Sequence, residues 1–130
     1  MESWGIRYAA IYGDNSDINN QVWQDLDTFL LQTFEKPDGT KMKLSCVCID
    51  SGGHRTNQVY KFCKARFNRR VFAIKGSNDS AAAYIQKPSK SNREGAYLFT
   101  LGVDTGKSLL MDRLKLEEEG PGFCHFPKEE

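Results

Sequence analysis

The spacing of apolar residues along the chain predicts three helices. In the first, apolar side chains recur at helical intervals after Asn19 or Asn20, either of which can cap the helix, so we expect a helix over residues 21–34. Thr56 can cap a second helix, whose apolar face carries Val59, Tyr60, Cys63 and Phe67. A third helix is expected over residues 105–116. Each helix would bury one face against a sheet.

The same pattern predicts strands over residues 4–12, 42–50, 71–74 and 97–101. In the second of these, Leu44, Cys46, Cys48 and Asp50 point one way, while apolar residues also occupy the opposite face. Apolar side chains on both faces indicate a buried, parallel strand. Strand, helix and strand over residues 42–74 form a right-handed βαβ unit with neighbouring parallel strands. Lys75 would then emerge at the same sheet edge as Asp50.

Length and composition are typical of a single globular domain, residues 1–130, with 39% hydrophobic and 27% charged residues. No apolar run is long enough to cross a bilayer, and the start of the chain is no signal peptide, so we expect a cytoplasmic protein without a membrane partner. Reduced thiols then account for the four cysteines better than disulfides do.

Charge is distributed unevenly, although the formal net charge is only +1. Residues 54–93 contain ten lysines or arginines and one acidic residue, Asp79. A basic field of this kind favours a polyanionic partner, and the alternative is a solvated helix face followed by a loop. Residues 77–95, most of which lie in this window, lose all periodicity and predict a long, mobile, basic loop.

Asp50 and the glycines that follow it are the strongest candidate for chemistry. A carboxylate at the carboxyl end of a strand, followed by Gly52 and Gly53 and a helix N-terminus, suits a metal or phosphate site. The same residues form ordinary turns, in which the aspartate caps the next helix. The sequence alone leaves these two interpretations equally open.

Other motifs fit known sites less well. Residues 102–108 lie between a strand and a helix, but three residues separate the two glycines where a nucleotide-binding phosphate loop needs four. Asp104 is better explained as a helix cap or an accessory polar contact. The cysteines lack the spacing of a zinc site, and His54 and His125 lack a serine or cysteine nucleophile in a recognisable turn.

Five segments in this order resemble the nuclease domain of the lambda-type bacteriophage terminase large subunit. They are residues 47–54, Val59-Tyr60, residues 71–76, residues 102–107 and residues 125–127. The resemblance covers about residue 4 to residue 127. It implies an α/β fold of the ribonuclease H-like type, a mixed sheet flanked by helices, whose acidic residues bind Mg²⁺ or Mn²⁺ and cut concatemeric double-stranded DNA during genome packaging.

The resemblance also implies roles for individual residues. Asp50 matches the acid on the family's central strand and would be both a catalytic residue and a metal ligand. Further contacts follow from their positions: DNA phosphates would bind to Arg55, Lys75, Lys87, Lys90 and Arg93, with residues 77–95 as a flap, and accessory roles would fall to His54, Asp104 and Lys107.

The chain departs from the family pattern in ways that limit these expectations. The family has one acid upstream of residue 4, another downstream of residue 127, and an ATPase motor before the nuclease. We therefore expect an incomplete nuclease domain, an excised piece or a prophage remnant, that binds metal weakly or not at all and does not cut DNA by itself. The parent's partners would be duplex DNA and the other terminase subunit or the portal.

Two further expectations concern association. A strand that begins at residue 4 would have an open edge, through which the chain could self-associate. The alternative to a nuclease remnant is a non-catalytic module that binds nucleic acid or a partner through the basic face of residues 54–93.

Overall fold

A computed structural model of the chain describes residues 1–127. Its elements follow in the order β1 (Ser3–Trp4), α1 (Gln21–Leu31), β2 (Phe34–Glu35), β3 (Lys41–Met42), β4 (Val47–Asp50), α2 (Thr56–Ala65), a 3₁₀ turn (Phe67–Arg69), β5 (Val71–Gly76), β6 (Leu98–Leu101), α3 (Val103–Leu114) and β7 (Cys124–His125). The fold is mixed α/β, with parallel and antiparallel pairings flanked by helices.

A parallel sheet in the order β4-β5-β6 is the centre of the molecule. Val47 pairs with Val71 and Ala73 pairs with Leu98, so the predicted parallel arrangement of β4 and β5 is confirmed. Helix α2 connects these two strands and packs against both. The core lies between one face of this sheet and the helices α1 and α2, where Phe62 and Trp23 are buried with their rings 5.4 Å apart.

The other face of the sheet is uncovered, which corrects the prediction of a strand buried on both sides. Cys46 and Cys48 are exposed, and with Phe72, Phe99 and Leu101 they line an open apolar depression. The alternation of β4 is as predicted. On this side Phe67 packs edge-on against Phe72 and Ile85 borders the depression, but Cys46 and Cys48 stay exposed. Of the four thiols, Cys63 is the buried one, and burial raises its pKa to about 12.

The predicted strand over residues 42–50 is two separate pieces. Lys41 and Met42 pair antiparallel with Phe34 and Glu35 in a hairpin, and the chain leaves this ladder before β4 begins at Val47. The hairpin also explains why α1 ends at Leu31 and not at residue 34. Within the described residues β4 pairs only with β5, so β4 is an edge of the sheet and not its centre.

The prediction of a strand over residues 4–12 is wrong except at its start. Ser3 and Trp4 pair in parallel with Cys124 and His125 in a two-stranded sheet, so within the described residues one edge of this strand is paired and the other is open. The stretch that follows is irregular, and Tyr8 is 89% exposed. Residues with high β-propensity form a strand only where a neighbouring strand can pair with them. This segment has no such neighbour among the described residues, so it stays irregular.

The long segment after β5 has no helix or regular strand of its own, as predicted, but it is attached to β6. Isolated antiparallel bridges join Ile85 to Leu101 and Ser89 to Leu98. The segment therefore runs beside β6 in the opposite direction and returns toward the start of that strand.

Candidate functional site

Asp50 is the last residue of β4 and lies at the carboxyl end of the parallel sheet. It is in register with Ile74, and the alternation of the strand places it on the uncovered face together with Cys48. Its Oδ1 accepts a hydrogen bond of 2.9 Å from the amide of Gly52. This contact is the turn that was one of the two interpretations of the sequence. The other carboxylate oxygen, Oδ2, accepts no hydrogen bond from the described residues.

Ser51 anchors the turn after Asp50 to the neighbouring strand, and it is buried although it is polar. The amide and the hydroxyl of Ser51 both donate to the carbonyl of Ile74, each at 2.9 Å. The Thr56 hydroxyl donates to the carbonyls of Ser51 and Gly53 at 2.7 and 3.0 Å. Thr56 is the first residue of α2, whose cap is Arg55, so the prediction that Thr56 caps the helix is wrong. Its hydroxyl holds the turn that follows Asp50.

Lys75 lies at the same sheet end as Asp50, as predicted, but on the other face. Asp50 pairs with Ile74, the residue before Lys75, and neighbouring residues of a strand point to opposite sides. Lys75 is exposed and is in register with Thr100. A phosphate that contacts both Asp50-bound metal and Lys75 would therefore have to reach around the end of the sheet.

The residues next to this end are mostly exposed. His54 and Arg55 lie in the turn before α2, where the Arg55 Nε donates to the side-chain oxygen of Asn15 at 2.9 Å. Asp104 lies in the first turn of α3 and Lys107 one turn later, and neither forms an ion pair among the described residues. Lys107 borders a cavity of about 370 Å³ beside α3.

The glycine-rich segment before α3 contacts the chain itself. The amide of Gly102 donates to the carbonyls of Ala83 and Tyr84 at 3.1 and 3.0 Å, and the Thr105 hydroxyl donates to the carbonyl of Ala82 at 3.0 Å. A Cβ on Gly102 would lie only 2.4 Å from the Ala82 oxygen. The glycine is therefore required for the close approach of a neighbouring segment, which agrees with the rejection of a phosphate loop.

The basic residues of the long loop lie away from Asp50. Because the loop runs antiparallel to β6, Lys87, Lys90 and Arg93 follow one another toward the amino end of that strand. There the Lys90 Nζ lies 4.4 Å from the ring centroid of Tyr97. Asp50 and the Lys90 ammonium thus occupy opposite ends of the sheet.

The described residues do not form a complete metal site. No group of three or more histidine, cysteine, aspartate or glutamate side chains comes together in residues 1–127. Mg²⁺ is held by several oxygen ligands and gives up its water reluctantly. Asp50 can supply one carboxylate oxygen at an accessible position, and the residues present do not fit the ion beyond that.

Two features were missed at the sequence level. The Oδ1 of Asp27 accepts hydrogen bonds of 2.7 Å from both Arg66 and Arg69, and these contacts hold the pKa of Asp27 below its usual value. Phe67 and Tyr97 stack on each other just before β5 and β6. The stacking of Phe67 on Tyr97 could have been predicted from the sequence, because neighbouring parallel strands bring together the residues that precede them.

No helix among residues 1–127 is long and apolar enough to cross a membrane. The comparisons with known proteins agree on one family. Residues 1–130 match the terminase large subunit gpA endonuclease domain. The chain is 34% identical to the terminase large subunit of Escherichia phage lambda over 130 aligned residues, which cover 97% of the chain and 20% of that protein.

A second relative is the terminase large subunit of Enterobacteria phage P21, with 34% identity over 92 residues. That match covers 71% of the chain and 14% of the phage P21 protein. The chain thus spans a fifth or less of the length of these relatives. No solved structure shows a significant match.

Proposed function

Because the chain belongs to the terminase large subunit endonuclease-domain family, we propose that it is part of a metal-dependent endonuclease that cuts concatemeric double-stranded DNA during phage genome packaging. The observation that carries this proposal is the position of Asp50. Its carboxylate lies at the carboxyl end of a parallel strand, where α/β sheets commonly hold ligands. The parallel strands with their connecting helix are also compatible with the ribonuclease H-like fold that we propose for the complete domain.

Asp50 is proposed as a catalytic residue and as one ligand of Mg²⁺ or Mn²⁺. The support is its exposed carboxylate, of which Oδ2 accepts no hydrogen bond from the described residues. A divalent ion there would stabilise the charge that develops on a phosphodiester during hydrolysis. Since one carboxylate holds such an ion weakly, we propose that the chain by itself does not cut DNA.

The DNA contacts are proposed in two groups. Arg55 and Lys75 flank the end of the sheet at which Asp50 lies, with His54, Asp104 and Lys107 as accessory polar groups. Lys87, Lys90 and Arg93 lie along the loop beside β6 and would contact phosphates farther along the duplex, so the loop forms a DNA-facing flap. The lysines and arginines among these residues carry ammonium or guanidinium groups, whose contacts with phosphate weaken as salt rises.

The setting of this activity is proposed from the family. The protein would act in the cytoplasm of the bacterial host, with duplex DNA and the other terminase subunit or the portal as partners of the large subunit. A prophage origin and self-association through the free edge of β4 are compatible with the same picture. The alternative, a non-catalytic module on the basic face, would bind DNA without any role for Asp50.

Metal titration followed by amide NMR tests the assignment of Asp50. We expect Mg²⁺ or Mn²⁺ to perturb the amides of residues 50–55 and Asp50→Asn to abolish this effect. The matched control is Asp38→Asn, because Asp38 makes the same kind of turn contact, accepting from the Thr40 amide at 2.8 Å, in the remote hairpin. Equal perturbation at both aspartates would contradict a specific site at Asp50.

A plasmid-nicking assay with Mn²⁺ tests the proposed inactivity of the isolated chain, and we expect the plasmid to remain supercoiled. Nicking that Asp50→Asn abolishes would overturn that part of the proposal. DNA binding that depends on salt, but that metal and Asp50→Asn leave unchanged, would favour the non-catalytic module.

A further inference from the structure

A small cavity of about 190 Å³ opens at the amino ends of β5 and β6, at the opposite end of the sheet from Asp50. Its wall is formed by residues of α2, the 3₁₀ turn and the segment before β6: Cys63, Lys64, Phe67, Lys90, Gly95, Ala96 and Tyr97. Aromatic rings and lysine ammonium groups therefore line one depression. This combination differs from the wholly apolar depression on the uncovered sheet face.

The aromatic part of the cavity is a stack that is open to solvent. The rings of Phe67 and Tyr97 lie 4.6 Å apart at an interplanar angle of 22°, and Phe72 packs against Phe67 with its ring centre 5.9 Å away. Phe67 is nevertheless 42% exposed. A large ring of which so much stays in water can extend the stack to one more planar group.

The charged part of the cavity is positive and uncompensated. The Lys64 Nζ donates to the backbone carbonyl of Glu94 at 2.7 Å, and the Lys90 Nζ lies over the Tyr97 ring. Neither ammonium forms an ion pair with a carboxylate in residues 1–127. Both lysines thus keep their charge for an anionic ligand.

Nearby guanidinium groups add to this field. Arg66 and Arg69 share the single carboxylate of Asp27, which leaves one positive charge over. The exposed Arg70 follows them directly and also lacks an ion pair among the described residues. The amino end of the sheet is therefore basic as well as aromatic.

Hydrogen bonds from a side chain and within the backbone shape the wall of the cavity in the absence of a ligand. The side chain of Asn92 donates to the carbonyl of Ala96 at 2.7 Å and accepts from the Ala96 amide at 3.0 Å. Gly95 completes this turn with a φ of 65°, and its amide donates to the Asn92 carbonyl at 3.0 Å. A site that is already ordered in the free protein loses less conformational entropy when a ligand binds.

We propose that this cavity binds unpaired DNA, with one base stacked on Phe67 and the adjoining phosphates held by Lys64 and Lys90. An exposed aromatic ring beside lysines is the pattern that proteins use for single strands, because every base presents a flat face. In a duplex the bases are already stacked on one another, so only the phosphates would be available. The choice of DNA over other nucleic acids rests on the proposed function.

Fluorescence anisotropy with a labelled oligothymidylate and a duplex of equal length tests this inference. The titrations contain EDTA, so that they do not depend on any metal at Asp50. We expect Phe67→Leu to weaken binding of the single strand about tenfold, the effect of losing one base stack, and to leave duplex binding unchanged. Phe67→Tyr keeps a flat ring and should bind like the wild type.

Lys90→Ala should weaken binding to the oligothymidylate, whereas Lys41→Ala, in the remote hairpin, should not. Equal losses on both DNAs with Phe67→Leu, or no loss on either, would overturn the proposal. If Phe67→Leu does not fold, the wild-type chain still decides by NMR. Oligothymidylate should then perturb the amides of residues 64–67 and 95–97, and perturbations confined to other regions would refute the site.

Discussion

The contact between Asp27 and two arginines provides the sharpest test of how α1 is held to the rest of the fold. Asp27 lies on α1, Arg66 follows α2, and Arg69 ends the 3₁₀ turn. One carboxylate oxygen accepts both guanidinium groups at 2.7 Å, and the Asp27 side chain is only 23% exposed. Asp27→Asn keeps the shape of the side chain and removes its charge.

The size of the effect follows from these contacts. A hydrogen bond to a charged group contributes about 1.5–3 kcal/mol, and partial exposure of all three side chains lowers this value. We therefore expect Asp27→Asn to lower the free energy of unfolding by about 1.5 kcal/mol near neutral pH. Urea titration followed by tryptophan fluorescence measures this, since Trp23 is buried on the same helix.

The effect must also depend on pH in one direction. The hydrogen bond from Arg66, and then that from Arg69, hold the pKa of Asp27 in the folded protein below its ordinary value of 3.8. A carboxyl group of lowered pKa stabilises the fold fully above its unfolded pKa, and this stabilisation is lost as pH falls through the folded pKa. The difference between wild type and Asp27→Asn should therefore stay constant above about pH 5 and narrow below about pH 4.

Asp25→Asn is the matched control for this experiment, because Asp25 lies on the same helix and within the described residues its carboxylate accepts only from Gln21, at 2.9 Å. This variant should change the free energy of unfolding by less than about 0.5 kcal/mol. A difference for Asp27→Asn that is no larger than the control, or that persists unchanged in acid, would refute the assignment of this stability to the charge of Asp27.

Two further predictions concern packing. Gly102→Ala should lower the free energy of unfolding by about 1–3 kcal/mol, because its Cβ would meet the carbonyl oxygen of Ala82 at 2.4 Å. Urea titration measures this loss and should show none of this size for Gly53→Ala, whose Cβ would meet no atom within 4 Å. Brief treatment of the native chain with iodoacetamide near pH 8 should modify the exposed Cys46 but not Cys63, which burial protects and whose pKa of about 12 keeps it a thiol. Mass spectrometry measures the modification, and rapid labelling of Cys63 would contradict the packing of α2 on the sheet.

The central βαβ unit could be predicted from the sequence because its signals are local and agree with one another. The helical spacing of Val59 and Cys63 predicts α2, and the apolar runs on either side of it predict β4 and β5. A strand, a helix and a strand in succession form a right-handed unit, in which the two strands are parallel neighbours. The position of Asp50 at the strand end followed from the same reasoning. That Lys75 points to the other face could also have been read from the alternation of the strand.

The remaining errors concern contacts between distant segments, which residue patterns do not reveal. Cys48 was expected to be covered because apolar side chains occupied both faces of its strand, but what covers a face depends on the rest of the fold. The pairing of Ser3 with Cys124 joins segments far apart in sequence and follows from no local pattern. The bridge between Ser89 and Leu98 attached a segment that looked structureless.

The pairing of β1 with β7 brings the two ends of the described chain side by side. The Trp4 ring stacks on His125 with centroids 4.8 Å apart, and the His125 Nε2 lies 3.1 Å from a Glu2 carboxylate oxygen. A short linker could therefore join the ends, and new termini could open at the hairpin turn around Gly39, to give a circular permutant with the same core. In such a permutant the pairing of β1 with β7 would become local in sequence and that of β2 with β3 would become long-range, so the loop-closure cost would move from one pair to the other and the fold should be retained.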